Sequence, residues 1–190
     1  MARLAGPPGP TAPALGPWRT RANLLSALRL LCAPLLVLAI HQGRWEGALL
    51  LFGLAVASDF ADGWVARRFG ESSAFGGALD HATDATFVVA GLGALAHRGE
   101  LTAVLPVLVA AAFLQYALDS RVLAGRPLRS SGLGRWNGIA YYVLLGLALF
   151  RSGLSLSWPP AALVGGVGWL LVASTGVSML DRLRALGRQP

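Results

Sequence analysis

Six apolar segments, each close to the length of a membrane-spanning helix, follow one another along this chain and limit what it can fold into. A helix needs about 17 to 25 predominantly apolar residues to cross a bilayer. Glycine or proline stands at or near several of the boundaries between the segments,. The pattern predicts an all-α polytopic membrane protein, a bundle of six transmembrane helices at approximately 23–41, 46–68, 78–97, 101–119, 135–152 and 159–181.

Composition supports this reading and argues against an ordinary soluble protein. Hydrophobic residues make up 55% of the 190 residues and charged residues only 13%, with a mean hydropathy of +0.58,. The single cysteine, Cys32, excludes an intramolecular disulfide and is interpreted as a small core residue,. Glycines inside the segments are expected to let helices approach closely, namely Gly53, Gly91, Gly93, Gly165, Gly166 and Gly168,.

The two ends of the chain differ in composition from the apolar part. Residues 1–22 are rich in proline and glycine, which predicts a disordered or surface-lying N-terminal tail,. Residues 23–183 form the predicted six-helix transmembrane domain, which would hold any catalytic site, and residues 184–190 form a short C-terminal tail.

Five of the nine acidic residues lie in the stretch 59–84, and four of these are aspartates at the edges of two apolar segments. Asp59 and Asp62 are three residues apart, and Asp80 and Asp84 four apart, so each pair occupies one face of a helix. Four carboxylates that meet in a low-dielectric site need cations or protons to neutralise them. An oxygen-only ligand set favours a hard divalent ion such as Mg²⁺ or Mn²⁺. Helix capping would explain one such carboxylate, but not four in register.

Glycine and arginine residues complete the pattern, which reads Asp59-x2-Asp62-Gly63-x2-Ala66-Arg67-x8-Gly76-x3-Asp80-x3-Asp84. This pattern resembles, without a departure, the signature of the CDP-alcohol phosphatidyltransferase family. Members are integral membrane enzymes of phospholipid biosynthesis that transfer a phosphatidyl group from CDP-diacylglycerol to an alcohol and release CMP. The resemblance therefore implies a metal-dependent transferase that uses CDP-diacylglycerol and an alcohol acceptor.

The resemblance also implies roles for the four carboxylates. Asp59, Asp62 and Asp80 would ligate two Mg²⁺ or Mn²⁺ ions. Asp84 completes this metal-binding set and would act as the catalytic general base that takes the proton from the acceptor hydroxyl. The spacing of the residues alone does not single out Asp84 for that role.

Four further residues of the pattern are expected to bind the nucleotide and its diphosphate, namely Gly63, Ala66, Arg67 and Gly76. The glycines would leave room for the ligand against the backbone. The Arg67 guanidinium suits a diphosphate because it forms paired, charge-assisted hydrogen bonds. Positive-inside anchoring at the membrane surface is the simpler alternative for Arg67.

A second, weaker resemblance lies at the start of the first segment. Asn23-Leu24-Leu25-Ser26-Ala27-Leu28-Arg29 is similar to a Pro-Asn-x-Leu-Thr-x-x-Arg sequence in bacterial members, with Ala22 and Ser26 replacing the proline and the threonine. The alternative is equally open: Ser26 would only pack, and Arg29 would only extend to the membrane surface.

A third stretch, Ser131-x-x-Gly134-Arg135, resembles a Ser-x-x-Gly-Lys-x-x-Thr element associated with binding of the acceptor phosphate. Arginine replaces the lysine here, and Gly138 replaces the threonine. The candidates for holding an anionic acceptor are Arg126, Arg129, Ser131 and Arg135. A positive-inside loop would explain the same arginines without any ligand.

The residues around the last two carboxylates leave the acceptor open. Members that use glycerophosphate show Leu-Asp-Pro-x-Ala-Asp-Lys, whereas this chain has His81 in place of the proline and Ala85 in place of the lysine. The best prediction is glycerol 3-phosphate or another phosphorylated polyol, and phosphatidylglycerol, as in a cardiolipin synthase, is the alternative. A transporter of divalent cations or protons is an alternative of another class, but arginines beside the acidic motif would oppose a cation path.

Arginines predict how the bundle lies in the membrane. The net charge is +7, and 13 of the 16 arginines fall on the side that carries both termini and the acidic motif. By the positive-inside rule this side faces the cytoplasm, which predicts a protein of a bacterial-type inner membrane. Because the arginines punctuate apolar helices, they suit lipid headgroups and not nucleic acid. Family members are often homodimers, so a homodimer is possible here.

Overall fold

The computed structural model of the chain describes residues 20–70, 73–119 and 132–186. These residues form six helices and no strand, which confirms the predicted all-α bundle. The predicted tail 1–22 lies outside the described residues apart from its last three. The helices are α1 (Arg21–His41), α2 (Trp45–Phe69), α3 (Ala74–His97), α4 (Val104–Asp119), α5 (Gly132–Gly153) and α6 (Ala161–Leu186).

Local capping sets the helix ends that lie closest to the acidic motif. The Thr20 hydroxyl accepts a hydrogen bond from the Asn23 backbone amide at 3.0 Å and begins α1,. The Ser73 hydroxyl accepts from the Gly76 amide at 2.9 Å, which begins α3 four residues before the apolar pattern does. Helix α2 is capped at its C-terminus by Gly70. The φ of Gly70 is 66°, a left-handed backbone conformation that favours glycine,.

Packing places α3 at the centre of the bundle. α1 lies against both α2 and α3, while α3 also contacts α4 and α5, and α6 packs on α4 and α5. The centre of the bundle is filled by large apolar side chains. Those that are completely or almost completely buried are Leu36, Ile40, Phe87, Leu92, Leu95, Leu105, Leu144, Leu145 and Leu149.

The outer surface carries many large apolar side chains, as a lipid-facing surface does. Leu24, Trp136 and Leu170 are among those at least 70% exposed, far more apolar surface than a soluble monomer shows. By length and composition, three helical stretches within the described ranges could span a membrane: Asn23–His41, Trp45–Phe69 and Ala161–Arg184. The protein is therefore an integral membrane protein, and a crossing by each of α3, α4 and α5 stays a prediction.

Candidate active site

The four aspartates of the motif surround one guanidinium group, that of Arg29. α2 carries Asp59 and Asp62, α3 carries Asp80 and Asp84, and α1 places Arg29 between the two pairs. The sequence pattern thus brings the four carboxylates together, as expected from their spacing. The Arg29 side chain is 0% exposed, so it does not extend to the membrane surface.

Each terminal nitrogen of Arg29 contacts both carboxylates of one pair. Nη2 lies 3.0 Å from Asp62 Oδ2 and 3.3 Å from Asp59 Oδ1. Nη1 lies 2.9 Å from Asp80 Oδ1 and also contacts Asp84 Oδ1. The guanidinium therefore joins α1 to both motif helices through charge-assisted hydrogen bonds.

Three of the aspartates form a group compact enough to hold a metal ion. Asp59, Asp62 and Asp80 each offer a carboxylate oxygen, and these oxygens lie within 4.8 Å of one another. An all-carboxylate donor set fits a hard divalent ion such as Mg²⁺ or Mn²⁺. Asp84, also predicted as a ligand, is outside this compact group.

Asp84 has surroundings that differ from those of the other three carboxylates. The hydroxyl of Tyr142, on α5, donates a hydrogen bond to Asp84 Oδ1 at 2.9 Å. The Asp84 side chain is 24% exposed and reaches the wall of a cavity of about 500 Å³. Asp84 is therefore both oriented and accessible to a molecule in that cavity.

A smaller cavity of about 230 Å³ lies against most of the remaining motif residues, whereas Asp59 lines the larger cavity with Asp84. The four residues predicted to bind the nucleotide all line it, and so do Asp62 and Asp80. The lining is completed by residues at the starts of α1 and α3, which gives Asn23, Ser26, Asp62, Gly63, Ala66, Arg67, Ser73, Gly76, Gly77 and Asp80. A helix N-terminus favours anions, so both the N-terminus of α3 and the positive charge of Arg67 suit a phosphate in this cavity.

The two motif glycines differ in how closely other groups approach them within this smaller cavity. A Cβ on Gly63 would meet the Arg67 guanidinium at 3.4 Å, which is an ordinary contact. A Cβ on Gly76 would lie 3.0 Å from Asn23 Oδ1 and 3.2 Å from Ser73 Oγ. Gly76 therefore lets the start of α1 approach the start of α3.

The larger cavity is lined by α3, α4, α5 and α6 and by Asp59 of α2, and no described residue lines both cavities. Arg135, a predicted acceptor-binding residue, lines it together with Arg182 of α6. The guanidinium carbon of Arg182 lies 4.7 Å from the centre of the Tyr116 ring. The other acceptor candidates, Arg126, Arg129 and Ser131, fall outside the described residues.

Two polar groups that line the larger cavity have a buried atom without a hydrogen-bond partner in the described structure. Gln115 donates through Nε2 to the Met179 carbonyl at 3.1 Å, but its Oε1 is unpaired. Asn137 accepts at Oδ1 from Ser174 Oγ at 2.6 Å, while its Nδ2 interacts with the Tyr141 hydroxyl without making a hydrogen bond of good geometry. Since burying a polar atom without a partner costs free energy, these atoms favour a ligand that both donates and accepts hydrogen bonds.

His81 packs against the aromatic side chains of α4 instead of joining the carboxylates. Its ring centre lies 4.7 Å from that of Tyr116 and 5.4 Å from that of Phe113. The ring also lines the larger cavity. The residue that replaces the family's proline therefore shapes the space beside Asp84.

Several residues of the site carried no recognisable signal in the sequence. Gln115, Asn137, Tyr142 and Arg182 come from α4, α5 and α6, far from the acidic motif along the chain. Arg29 had a signal, because an arginine six residues after Asn23 lies inside an apolar segment, where charge is costly. Its position among the carboxylates depends on how α1 packs on α2 and α3.

Comparison with known proteins agrees with the resemblance. The family model described as CDP-alcohol phosphatidyltransferase matches residues 19–177. A probable phosphatidylglycerophosphate synthase of Mycobacterium tuberculosis is 30% identical over 177 residues, 87% of this chain and 83% of its own. A CDP-diacylglycerol–glycerol-3-phosphate 3-phosphatidyltransferase of Pectobacterium atrosepticum is 30% identical over 86% of this chain and 92% of its own. A putative cardiolipin synthase of Mycobacterium bovis is 40% identical over 70 residues, 35% of this chain and 32% of its own.

Proposed function

Because the chain belongs to the CDP-alcohol phosphatidyltransferase family, we propose that it transfers the phosphatidyl group of CDP-diacylglycerol to glycerol 3-phosphate and releases CMP. The observation that carries the choice of acceptor is the cavity of about 500 Å³ that reaches Asp84 and is lined by Arg135 and Arg182. Two guanidinium groups favour an acceptor with a phosphate. The names of the relatives from Mycobacterium tuberculosis and Pectobacterium atrosepticum support the same choice.

The smaller cavity would take the nucleotide part of the lipid donor. Arg67 and the N-terminus of α3 would bind the diphosphate, and Gly63 and Gly76 would keep the backbone accessible,. The exposed apolar surfaces of the helices would leave the acyl chains in the bilayer.

Asp59, Asp62 and Asp80 would hold the divalent metal ions, because their oxygens already lie close together. When bound, Mg²⁺ or Mn²⁺ neutralises charge on the diphosphate and on the departing CMP. A second ion would need further oxygens, which Asp84 and the diphosphate can supply. This assignment accounts for three carboxylates that no capping or packing role requires.

Asp84 would act as the general base on the acceptor. A hydroxyl of the acceptor that points at Asp84 from the larger cavity would give up its proton as its oxygen attacks phosphorus. The bond between phosphorus and the CMP oxygen breaks in the same displacement. Tyr142 would keep the Asp84 carboxylate oriented through its hydrogen bond.

The acceptor's hydroxyl groups have two further partners in the larger cavity. Gln115 Oε1 can accept a hydrogen bond from a hydroxyl, and Asn137 Nδ2 can donate one,. A small polyol phosphate satisfies both atoms and the two guanidinium groups at once. Phosphatidylglycerol is the second candidate acceptor, favoured by the similarity to the putative cardiolipin synthase.

The test is release of CMP from CDP-diacylglycerol by the purified protein in nanodiscs with Mg²⁺ or Mn²⁺. Glycerol 3-phosphate, inositol phosphate and phosphatidylglycerol would be supplied in turn, with EDTA as the metal-free control. We expect metal-dependent release with glycerol 3-phosphate. Release with phosphatidylglycerol alone would replace the proposed acceptor, and equal release in EDTA would contradict the proposed metal site.

A matched pair of variants strengthens this assay. Asp62→Asn removes a proposed metal ligand, whereas Glu46→Gln changes an exposed carboxylate at the start of α2, away from the motif. Activity should be lost in the first and retained in the second. Comparable loss in both would point to general damage to the protein instead.

A further inference from the structure

We propose that Arg29 is a built-in counter-cation of the site, which holds the four carboxylates together without metal and competes with divalent ions for them. This inference rests on the proposed function, since it presupposes metal binding by the aspartates. Arg29 is a positioning residue in this account. It acts on the metal ligands and not on the reacting atoms.

Complete burial of Arg29 is the first observation. Its side chain is 0% exposed, although its neighbours on α1, Leu28, Leu30 and Leu31, are 46–66% exposed. An arginine in an apolar segment normally extends to the membrane surface, because isolating its charge from water is costly. Here the charge turns into the bundle, where the carboxylates compensate it.

The second observation is that the guanidinium contacts the same three carboxylates that could hold a metal ion. Asp62 Oδ2 and Asp80 Oδ1 lie 3.0 Å and 2.9 Å from its terminal nitrogens, and Asp59 Oδ1 lies 3.3 Å away. These three residues are the ones whose oxygens could surround an ion. A metal ion bound by these carboxylates would therefore meet the guanidinium as a competing cation.

A count of formal charges shows why the two states differ. The four ionised carboxylates carry 4 × (−1) = −4, and Arg29 reduces this to −4 + 1 = −3. Two divalent ions would bring the total to −3 + 4 = +1. The arginine thus relieves repulsion when metal is absent and adds repulsion when metal is bound.

Loss of the charge should therefore move two properties in opposite directions. Arg29→Met keeps an unbranched aliphatic stem and removes the positive charge. This change should lower the Tm in EDTA by about 5 °C or more. The same change should lower the half-saturating Mn²⁺ concentration about tenfold or more, because the carboxylates keep their full charge. An arginine that served packing alone would lower the Tm and would not tighten metal binding.

The experiment is a Mn²⁺ titration of the full-length protein in detergent. Because Cys32 is the single cysteine and is buried, a thiol-reactive dye reports unfolding. Electron paramagnetic resonance of free Mn²⁺ measures binding independently. Ser26→Ala is the matched control, since it removes a 3.2 Å hydrogen bond to Asp62 without changing the charge. We expect it to lower the Tm slightly and leave the half-saturating concentration within about twofold.

A second variant keeps the test decisive if Arg29→Met is too unstable to purify. Arg29→Met alone leaves the cluster with a formal charge of −4. Adding Asp84→Asn removes one carboxylate and returns the charge to the wild-type value, −4 + 1 = −3. The double variant should be purified in EDTA and melt above the single variant. If it melts no higher, or if Arg29→Met binds Mn²⁺ no more tightly than the wild type, the competition is refuted. If the wild type itself does not bind Mn²⁺, the proposed metal site fails as well.

Discussion

Asp84 and Asp59 both line the larger cavity, and Asp84 is the one that accepts a hydrogen bond from Tyr142. Asp62, in contrast, lies with its side chain 7% exposed beside the smaller cavity. Asp62 and Asp84 thus face different cavities. This difference supports the proposal that Asp84 takes the proton of the acceptor and that Asp62 binds metal.

Asp84→Asn should therefore abolish transfer while leaving donor binding largely intact. An amide cannot accept the proton of the acceptor hydroxyl, and we expect the rate to fall by about 10²- to 10⁴-fold. Metal-dependent binding of CDP-diacylglycerol, followed by equilibrium dialysis in nanodiscs, should change little. A variant with full transferase activity would remove the general-base assignment.

Arg135→Ala should raise the KM for the acceptor much more than the KM for CDP-diacylglycerol. Loss of charge-assisted hydrogen bonds to the phosphate is expected to cost about 10- to 100-fold in acceptor KM. Arg44→Gln, an exposed arginine before α2 at the opposite end of the bundle, is the control. Equal changes in both KM values would contradict an acceptor role for Arg135.

The sequence could predict which carboxylates share a helix face. Asp59 and Asp62, and likewise Asp80 and Asp84, are spaced by about one helical turn, which depends only on helical periodicity. Arg29 could equally have been a surface-seeking arginine, since its burial depends on how three helices pack. Gln115 and Asn137 are ordinary polar residues in sequence, and only the tertiary structure brings them to the same cavity as Asp84.

At the scale of elements, α3 carries half of the carboxylates and contacts α1, α4 and α5. At Gly91, helix α3 comes very close to α5 and α1. A Cβ there would lie 2.8 Å from one methyl of Leu145 and 3.1 Å from Leu36, both fully buried. Gly53, Gly93, Gly165 and Gly166 were expected to serve close contacts too, but a Cβ at any of them meets nothing within 4 Å among the described residues.

Gly91→Ala should therefore destabilise the bundle, whereas Gly93→Ala should not. The first adds a methyl group to a filled core and is expected to cost about 1–3 kcal/mol. The second enters open space and should be neutral or slightly stabilising, since alanine favours helix over glycine. Melting temperatures in detergent would compare them, and a similar loss in both variants would count against the packing of α3 on α1 and α5.

Helix positions were predictable because apolar length and boundary residues are local features. The ends shifted where a cap outweighed hydropathy, as when Ser73 begins α3 before its apolar pattern does,. The packing of the helices around α3 was not predictable, because the exposed and buried faces of these helices are both apolar. Hydropathy cannot then identify the buried face.

At the scale of the whole molecule, aromatic and charged residues mark two ends of the bundle. Trp64 and Trp136 are exposed near the acidic motif, while Trp158 is exposed near the opposite end. Tryptophan favours the membrane–water interface, and seven of the ten arginines in the described ranges lie at the motif end,. The arrangement supports a catalytic end at the cytoplasmic surface.

Cysteine labelling tests this orientation. In a Cys32→Ala background, Gln42→Cys lies after α1 at the outer end, and Arg184→Cys lies in the last turn of α6. A membrane-impermeant maleimide applied to intact cells should label the first and not the second. Labelling of the second alone would reverse the predicted topology.

Two cavities without a common lining residue also constrain the order of chemical events. If donor and acceptor bind in the two cavities as proposed, both can be present together, and the phosphatidyl group need never be attached to the protein. A direct exchange of partners at phosphorus inverts its configuration, whereas a route through a covalent protein intermediate would invert twice and retain it. The configuration of an isotopically labelled phosphorus in the lipid product would therefore distinguish direct transfer between the two cavities from transfer through the protein.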